Sequence, residues 1–78
     1  MYLKENLKLL RKRRKRSQED VAKSLLLTRS AYNSYENGVA EPGIQILIRL
    51  SEFFQINIDK LIRIDLNSNH VWIARRTD

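Results

Sequence analysis

Apolar residues recur along this chain at the three- and four-residue spacing of amphipathic helices. Leu3, Leu7 and Leu10 form one such stripe, and Tyr32 and Tyr35 belong to another. Over the whole chain the pattern predicts an all-α domain of five short helices, at about residues 3–14, 18–25, 29–37, 44–54 and 58–63. The residues expected to face mostly inward in the last two helices are Ile44, Leu47, Ile48, Leu50, Ser51, Phe54, Ile58, Leu61 and Ile62.

Polar residues between the apolar stripes supply helix start and stop signals. Ser17 can cap the second helix with its hydroxyl, and Asp20 three residues later approximates a capping box. Thr28 can cap the third helix, and Asn37-Gly38 can end it, because glycine readily takes positive φ at a helix C-terminus. Caps this close together predict a helix-turn-helix motif, which inserts its second helix into the DNA major groove. The alternative is a generic helical hairpin in a small bundle.

The net charge is +6, and its distribution is more informative than its size. Residues 4 to 16 contain eight Lys or Arg and one acid, whereas the rest of the chain contains seven bases and eight acids. The basic excess therefore lies in the first helix and the following turn, where residues 11–16 are an unbroken run of cations. Such a run attracts polyanions, and double-stranded DNA is the obvious partner. A solvated face or a localisation-like tract is the alternative reading of the run alone.

The composition argues against several classes of protein. The chain has no cysteine, so disulfides and thiolate metal sites are excluded, and we expect neither a metal ion nor another cofactor. No apolar run is longer than four residues, which is too short to span a membrane, and the first residues lack the apolar core of a signal peptide. His70 is the only histidine, and no nucleophile or phosphate-binding motif occurs, so we expect no enzyme.

Several stretches stand in an order that is typical of one family. They are Ser17-Gln18-Glu19-Asp20-Val21-Ala22, Tyr35-Glu36-Asn37-Gly38, and residues 10–12, 28–30, 41–42, 47–54, 59 and 61. Together, over about residues 7–62, they resemble the Cro/C1-type helix-turn-helix domain of phage repressors and many bacterial regulators. The resemblance implies a five-helix, lambda-repressor-like domain over residues 1–66 and a cytoplasmic protein encoded by a bacterium or a phage.

The third predicted helix carries the residues expected to read DNA bases, which are Arg29, Ser30, Asn33 and Ser34. Arg29 can take guanine O6 and N7 together, and Asn33 can pair with adenine N6 and N7. The alternatives are a phosphate contact for Arg29 and a solvated side chain for Asn33. The residues expected to contact the DNA backbone are Gln18, Thr28, Asn37, Gly38, Arg13, Arg14, Lys15 and Arg16.

The resemblance also implies roles that the residues alone do not establish. Gln18 would contact the DNA backbone and support a base-reading residue. Asn37, Gly38 and Val39 would lie in a loop that donates backbone N–H groups to the opposite strand. Arg11 and Glu36 would form a partly buried ion pair. Two independent surface charges are the alternative for this pair.

Three positions depart from the family pattern, which usually has glycine there. They are Lys15 before the second helix, Leu26 between the second and third helices, and Gln55 after the fourth. A non-glycine residue at positive φ costs roughly 1 kcal/mol. The turns therefore either follow other routes or carry this strain.

The last residues, 67–78, lie outside the resemblance and form a short C-terminal extension. Their apolar cluster Val71, Trp72 and Ile73 is a candidate dimer contact, a segment that folds back on its own chain, or the start of a truncated second domain. The function we predict is a sequence-specific transcriptional regulator, a homodimeric repressor without a membrane partner. The alternative is a protein-interaction module with an additional protein partner, such as an antitoxin-like protein or a subunit of a larger regulator.

Overall fold

The computed structural model describes residues 1–68, and within that range the chain forms five helices and no strand. These are α1 (Leu3–Arg13), α2 (Gln18–Ser24), α3 (Arg29–Asn37), α4 (Ile44–Phe54) and α5 (Ile58–Arg63). The predicted five-helix, all-α fold is confirmed. Helices α1 and α2 each end one residue earlier than predicted, because Arg14 and Leu25 are the C-caps. The candidate dimer residues Val71, Trp72 and Ile73 lie outside the described residues.

Three helices begin at side chains that cap them. The Ser17 hydroxyl accepts from the Asp20 backbone N–H at 3.0 Å, and the Asp20 carboxylate accepts from the Ser17 N–H, which completes a capping box. Thr28 caps α3 and Asn57 caps α5 in the same way. Such caps satisfy backbone donors that have no partner within the helix, so they determine where each helix starts.

The first four helices end in one recurring turn, the Schellman motif, in which two backbone N–H groups bond back to the last turn. At the end of α3, Val39 N–H donates to the Ser34 carbonyl and Gly38 N–H to the Tyr35 carbonyl. The motif needs one residue at positive φ, and the four residues that provide it are Lys15 (57°), Leu26 (59°), Gly38 (73°) and Gln55 (55°). The turns without glycine therefore keep this route and carry the strain.

A single core lies between the helices, and its fully buried members are Leu7, Val21, Ala22, Leu25, Tyr32, Leu50, Phe54 and Leu61. The prediction for α4 was partly wrong, because Ile44 is 76% exposed and Ile48 is 43% exposed. The inward stripe of α4 is centred on Leu50, and Ile46 packs on the core instead. Ile44 and Ile48 lie on the opposite side of the helix from that stripe. In α5, Leu61 is buried, whereas Ile58 and Ile62 are half-buried.

One buried polar side chain joins the two ends of the domain. Asn6 on α1 is fully buried, and its amide nitrogen donates to the carbonyls of Leu61 and Ile64, each at 2.7 Å. Its amide oxygen accepts from the Leu66 N–H at 3.1 Å. Asn6 therefore satisfies carbonyls at the end of α5 and fixes the chain that follows, so that Leu66 is buried.

Candidate nucleic-acid interface

Helices α2 and α3 pack directly on each other, and this contact decides which face of α3 is available to a ligand. Tyr32 is buried, and Tyr35 packs against the core. The residues of the opposite face are Thr28, Arg29 and Ser30, which are exposed, and Asn33 and Ser34, which are half-buried. The Thr28 and Ser34 hydroxyls are already used within the helix, the first as the cap and the second as a donor to the Ser30 carbonyl.

An open depression on this surface is lined by Gln18, Arg29, Ser30 and Asn33. Arg29 is exposed and makes no hydrogen bond or ion pair with another residue of the described part of the chain. Its guanidinium therefore keeps all its donors for a ligand, one helical turn from Asn33. An arginine in this state can bind a guanine edge or a phosphate group.

A polar network joins this depression to the protein interior. The Gln18 amide nitrogen donates to the Asn33 side-chain oxygen at 2.9 Å and to Glu36 Oε1 at 3.1 Å. The Asn37 amide nitrogen donates to the same Asn33 oxygen at 3.2 Å. Gln18 therefore supports a candidate base-reading residue. The link from Asn37 was missed from the sequence, although the four-residue spacing of Asn33 and Asn37 on one helix was a usable signal.

Glu36 forms an ion pair with Arg11 at the inner end of this network. Arg11 Nε lies 2.6 Å from Glu36 Oε2, and Arg11 Nη2 donates to Oε1 at 3.1 Å. The side chains of Arg11 and Glu36 are 12% and 0% exposed. This two-point geometry is the strongest form of such a contact. Arg11 also donates to the Arg16 carbonyl at 2.9 Å, which ties the strained turn at Lys15 to the pair.

The surroundings of Glu36 hold it in its charged form. Burial by itself would raise the pKa of Glu36, but the Arg11 hydrogen bonds, the Tyr32 hydroxyl and the Gln18 amide together hold that pKa below its usual range. The Tyr32 hydroxyl is itself buried and forms no hydrogen bond with the described residues. Burial, with Glu36 nearby, raises the pKa of Tyr32 well above its usual range. The pKa of Arg11 is raised by its bonds to Glu36.

The basic run does not form one uniform surface. Arg11 faces inward, and the Arg14 guanidinium carbon lies 5.3 Å from the Phe53 ring centre and 5.6 Å from that of Phe54. Arg13, Lys15 and Arg16 are exposed, as is Arg14 by its total surface. The stacking on two aromatic rings ties Arg14 to the end of α4. A DNA contact by Arg14 therefore competes with this stacking, whereas Lys15 and Arg16 stack on no aromatic ring within residues 1–68.

The loop after α3 has fewer available donors than the resemblance implies. The backbone N–H groups of Gly38 and Val39 are bonded to carbonyls of α3, at 3.4 and 3.0 Å. The Gly38 bond is long and therefore weak. A backbone contact from this loop to a phosphate would accordingly use Gly38 in preference to Val39.

A family model described as Helix-turn-helix matches residues 7–61 of this chain. The chain belongs to the helix-turn-helix family. The match covers most of the chain and confirms the resemblance to Cro/C1-type domains, with α2 and α3 as the two helices that give the family its name. No solved structure matches the chain. None of the helices in residues 1–68 has the length and apolar content needed to cross a bilayer.

Three curated proteins are similar to this chain in sequence. The chain is similar to the uncharacterized HTH-type transcriptional regulator YqaE of Bacillus subtilis (strain 168), with 40% identity over 63 residues, 81% of this chain and 54% of that protein. It is similar to the HTH-type transcriptional activator BcrR of Enterococcus faecalis, with 34% identity over 62 residues, 80% of this chain and 30% of BcrR.

The third is the SPbeta prophage-derived uncharacterized HTH-type transcriptional regulator YonR of Bacillus subtilis (strain 168), with 37% identity over 59 residues, 76% of this chain and 55% of YonR. The chain thus spans about half the length of two of these relatives and less than a third of BcrR. What the relatives share with it is the helix-turn-helix domain.

Proposed function

We propose that this chain is the DNA-binding domain of a transcriptional regulator and inserts α3 into the major groove. The observation that carries the proposal is the outer face of α3, where Arg29 keeps all its donors and Asn33 is held in place by Gln18. The exposed cations Lys15 and Arg16 precede α2 and would contact the phosphates on the flank. The three relatives, whose names all describe HTH-type transcriptional regulators, support the same function.

The regulator we propose acts as a homodimer on a palindromic site, with one copy of α3 in each half-site. Proteins with this motif bind half-sites about one helical turn of DNA apart, because two-fold symmetry places the two reading helices on one face. We further propose that it is a repressor and that Val71, Trp72 and Ile73 contribute to the dimer contact. BcrR is named an activator, so repression has to be tested separately from DNA binding.

A second candidate function is a protein-interaction module, as in antitoxin-like partners or subunits of larger regulators. Two exposed apolar side chains one turn apart on α4 favour it, namely Ile44 (76% exposed) and Ile48 (43%). Exposed apolar side chains in one region commonly mark a protein contact. This function and DNA binding are compatible in one chain, and the test below concerns DNA binding.

The test is a titration of labelled random duplex DNA, followed by fluorescence anisotropy, at 50 and 200 mM salt. A dimer that neutralises about 6 to 10 phosphates should lose roughly 10³- to 10⁵-fold in affinity across this range. The Arg16→Gln chain should have a shallower salt dependence. The matched control is Arg63→Gln, which removes the same charge from α5, where Arg63 pairs with Asp59 at an exposed site. No measurable binding at 50 mM salt would refute the proposed function.

A further inference from the structure

The Asn33 side chain is restricted in the hydrogen bonds it can offer to DNA. Its amide oxygen accepts from Gln18 and from Asn37, at 2.9 and 3.2 Å, and a carbonyl oxygen has two lone pairs. Both acceptor positions are therefore occupied within the protein. The group that remains for a ligand in the depression beside Arg29 is the Asn33 amide nitrogen, which can only donate.

The orientation of these amides is set by the charge of Glu36. Amide groups can turn over and exchange oxygen for nitrogen, so each orientation must be justified by its partners. Gln18 cannot turn over, because its oxygen would then lie against Glu36 Oε1, the carboxylate oxygen that its nitrogen now contacts at 3.1 Å. Asn33 cannot turn over, because its nitrogen would meet the Gln18 nitrogen. The carboxylate is fully buried and paired with Arg11, so Glu36 holds the Gln18 amide in this orientation in the folded protein.

We propose that Asn33 reads its base as a hydrogen-bond donor only, and that Glu36, acting through Gln18, is the positioning residue that imposes this polarity. The inference rests on the proposed DNA-binding function and narrows the sequence-based expectation, in which Asn33 pairs with adenine N6 and N7. That pairing needs an available oxygen to accept from the adenine amino group. Asn33 instead fits a base acceptor in the major groove, such as guanine O6 or N7, thymine O4, or adenine N7 alone.

The first step of the test selects binding sites from a randomised duplex library. The wild-type chain and the Asn33→Ala chain are compared, and the base pair at which the preference disappears is the one that Asn33 reads. Each base pair has one amino group in the major groove, on adenine or on cytosine. That group is then deleted by placing 2-aminopurine for adenine or 2-pyrimidinone for cytosine at this pair.

The readout is a double-mutant cycle between residue 33 and the amino group, which cancels effects of the base analogue on the duplex itself. Deleting the amino group should change the affinity of the wild-type and Asn33→Ala chains by the same factor. In the Asn33→Asp chain, the outward group becomes an acceptor, and the deletion should cost about twofold to tenfold more than in Asn33→Ala.

The inference is overturned if deleting the amino group lowers the affinity of the wild-type chain more than that of the Asn33→Ala chain. Such a difference shows that the Asn33 oxygen accepts from the base. The inference is also overturned if the Asn33→Asp chain shows no added loss, or if Asn33→Ala leaves the selected site unchanged. A wild-type chain that enriches no sequence at all refutes the proposed function instead, so the two failures are distinguishable.

The role of Glu36 is tested in the same cycle. In the Gln18→Met chain the Arg11–Glu36 pair is retained, but one lone pair of the Asn33 oxygen is released, so a loss on deleting the amino group should now appear. The folded Glu36→Gln chain should show the same loss of affinity on deletion of the amino group. A thermal melt establishes whether this variant is folded. A uniform loss of affinity in the Gln18→Met chain, without this new dependence, would overturn the positioning role. The Ser24→Ala chain is the control, because the Ser24 hydroxyl donates to the Asp20 carbonyl within α2 and Ser24 does not line the depression.

Discussion

Replacement of Leu26 by glycine should stabilise the domain, because this residue holds a left-handed backbone conformation without adding to the core. Its φ is 59°, and its side chain is 85% exposed. A non-glycine residue in this conformation costs about 1 to 2 kcal/mol. Glycine loses about 0.5 to 1 kcal/mol of this gain through its greater freedom in the unfolded chain. The net stabilisation is therefore centred on about 0.75 kcal/mol, within limits of about 0 to 1.5 kcal/mol, and the central value raises Tm by about 3 to 6 °C for a domain of this size.

Thermal and urea unfolding followed by circular dichroism would measure this change. The matched control is Leu26→Ala, which removes the same exposed side chain but keeps the Cβ atom that causes the strain. Gln55→Gly should behave like Leu26→Gly, since Gln55 is also exposed and has a φ of 55°. Gly38→Ala should lose stability, because φ there is 73°. If Leu26→Gly is no more stable than Leu26→Ala, the strain argument for these turns is wrong.

Of four further predictions, two concern the ion pair, one the reading helix and one the C-terminal extension. Glu36→Ala should lower the free energy of unfolding by about 3 kcal/mol in urea melts, because it leaves the Arg11 charge unpaired. Glu52→Ala, at an exposed position, should lower it by less than about 0.5 kcal/mol, and equal small losses would mean that the pair adds no net stability. Because folding lowers the pKa of Glu36, the charged carboxylate adds to the free energy of unfolding above the pKa of the unfolded carboxyl, and this addition is lost as pH falls. The difference in free energy of unfolding between wild type and Glu36→Gln should therefore narrow below about pH 4. Arg29→Ala should relax preference at one base pair by about 1 to 3 kcal/mol in competition binding, whereas Arg13→Ala should weaken all sequences equally; a uniform loss for Arg29→Ala would make it a phosphate contact. A chain ending at Asn67 should sediment as a monomer, and a dimer as stable as that of the full chain would place the contact elsewhere.

The starts of α2, α3 and α5 were predictable because each depends on a local capping signal. Ser17, Thr28 and Asn57 cap their helices through side chains that reach only three residues ahead. Helix ends were less predictable. A residue other than glycine gives no sign in its own identity that it takes positive φ at the end of a helix. Leu26 and Gln55 take that conformation because the helices on either side are fixed by the core, which overrides the preference of the residue itself.

The burial of single residues depends on contacts that are distant in sequence, and here prediction failed. Ile44 and Ile48 fit an apolar helical stripe, but the core lies on the side of Leu50, so both face outward. Asn6 lies beside Leu7 on α1 and would be expected in water, yet its partners are residues 55 to 60 positions further along the chain.

At the candidate site, the Gln18–Asn33 and Arg11–Glu36 contacts were predictable from the resemblance, but the hydrogen-bond directions were not. The resemblance implied that Gln18 supports a base-reading residue and that Arg11 and Glu36 form a pair. It did not imply that these two features are joined. That junction requires Gln18 and Glu36, 18 residues apart, to meet at 3.1 Å, which only the packing of α2 on α3 produces.

The bonds made by Asn6 have a consequence for the order in which the domain can fold during synthesis. Helix α1 leaves the ribosome first, but the buried Asn6 amide has no partner until Leu61, Ile64 and Leu66 have also emerged. A buried amide left without hydrogen bonds costs about 1 to 3 kcal/mol, a large share of the stability of a small domain. The core around Asn6 can therefore close only after the end of α5 has been translated, although α1 can already pack on α3 before that.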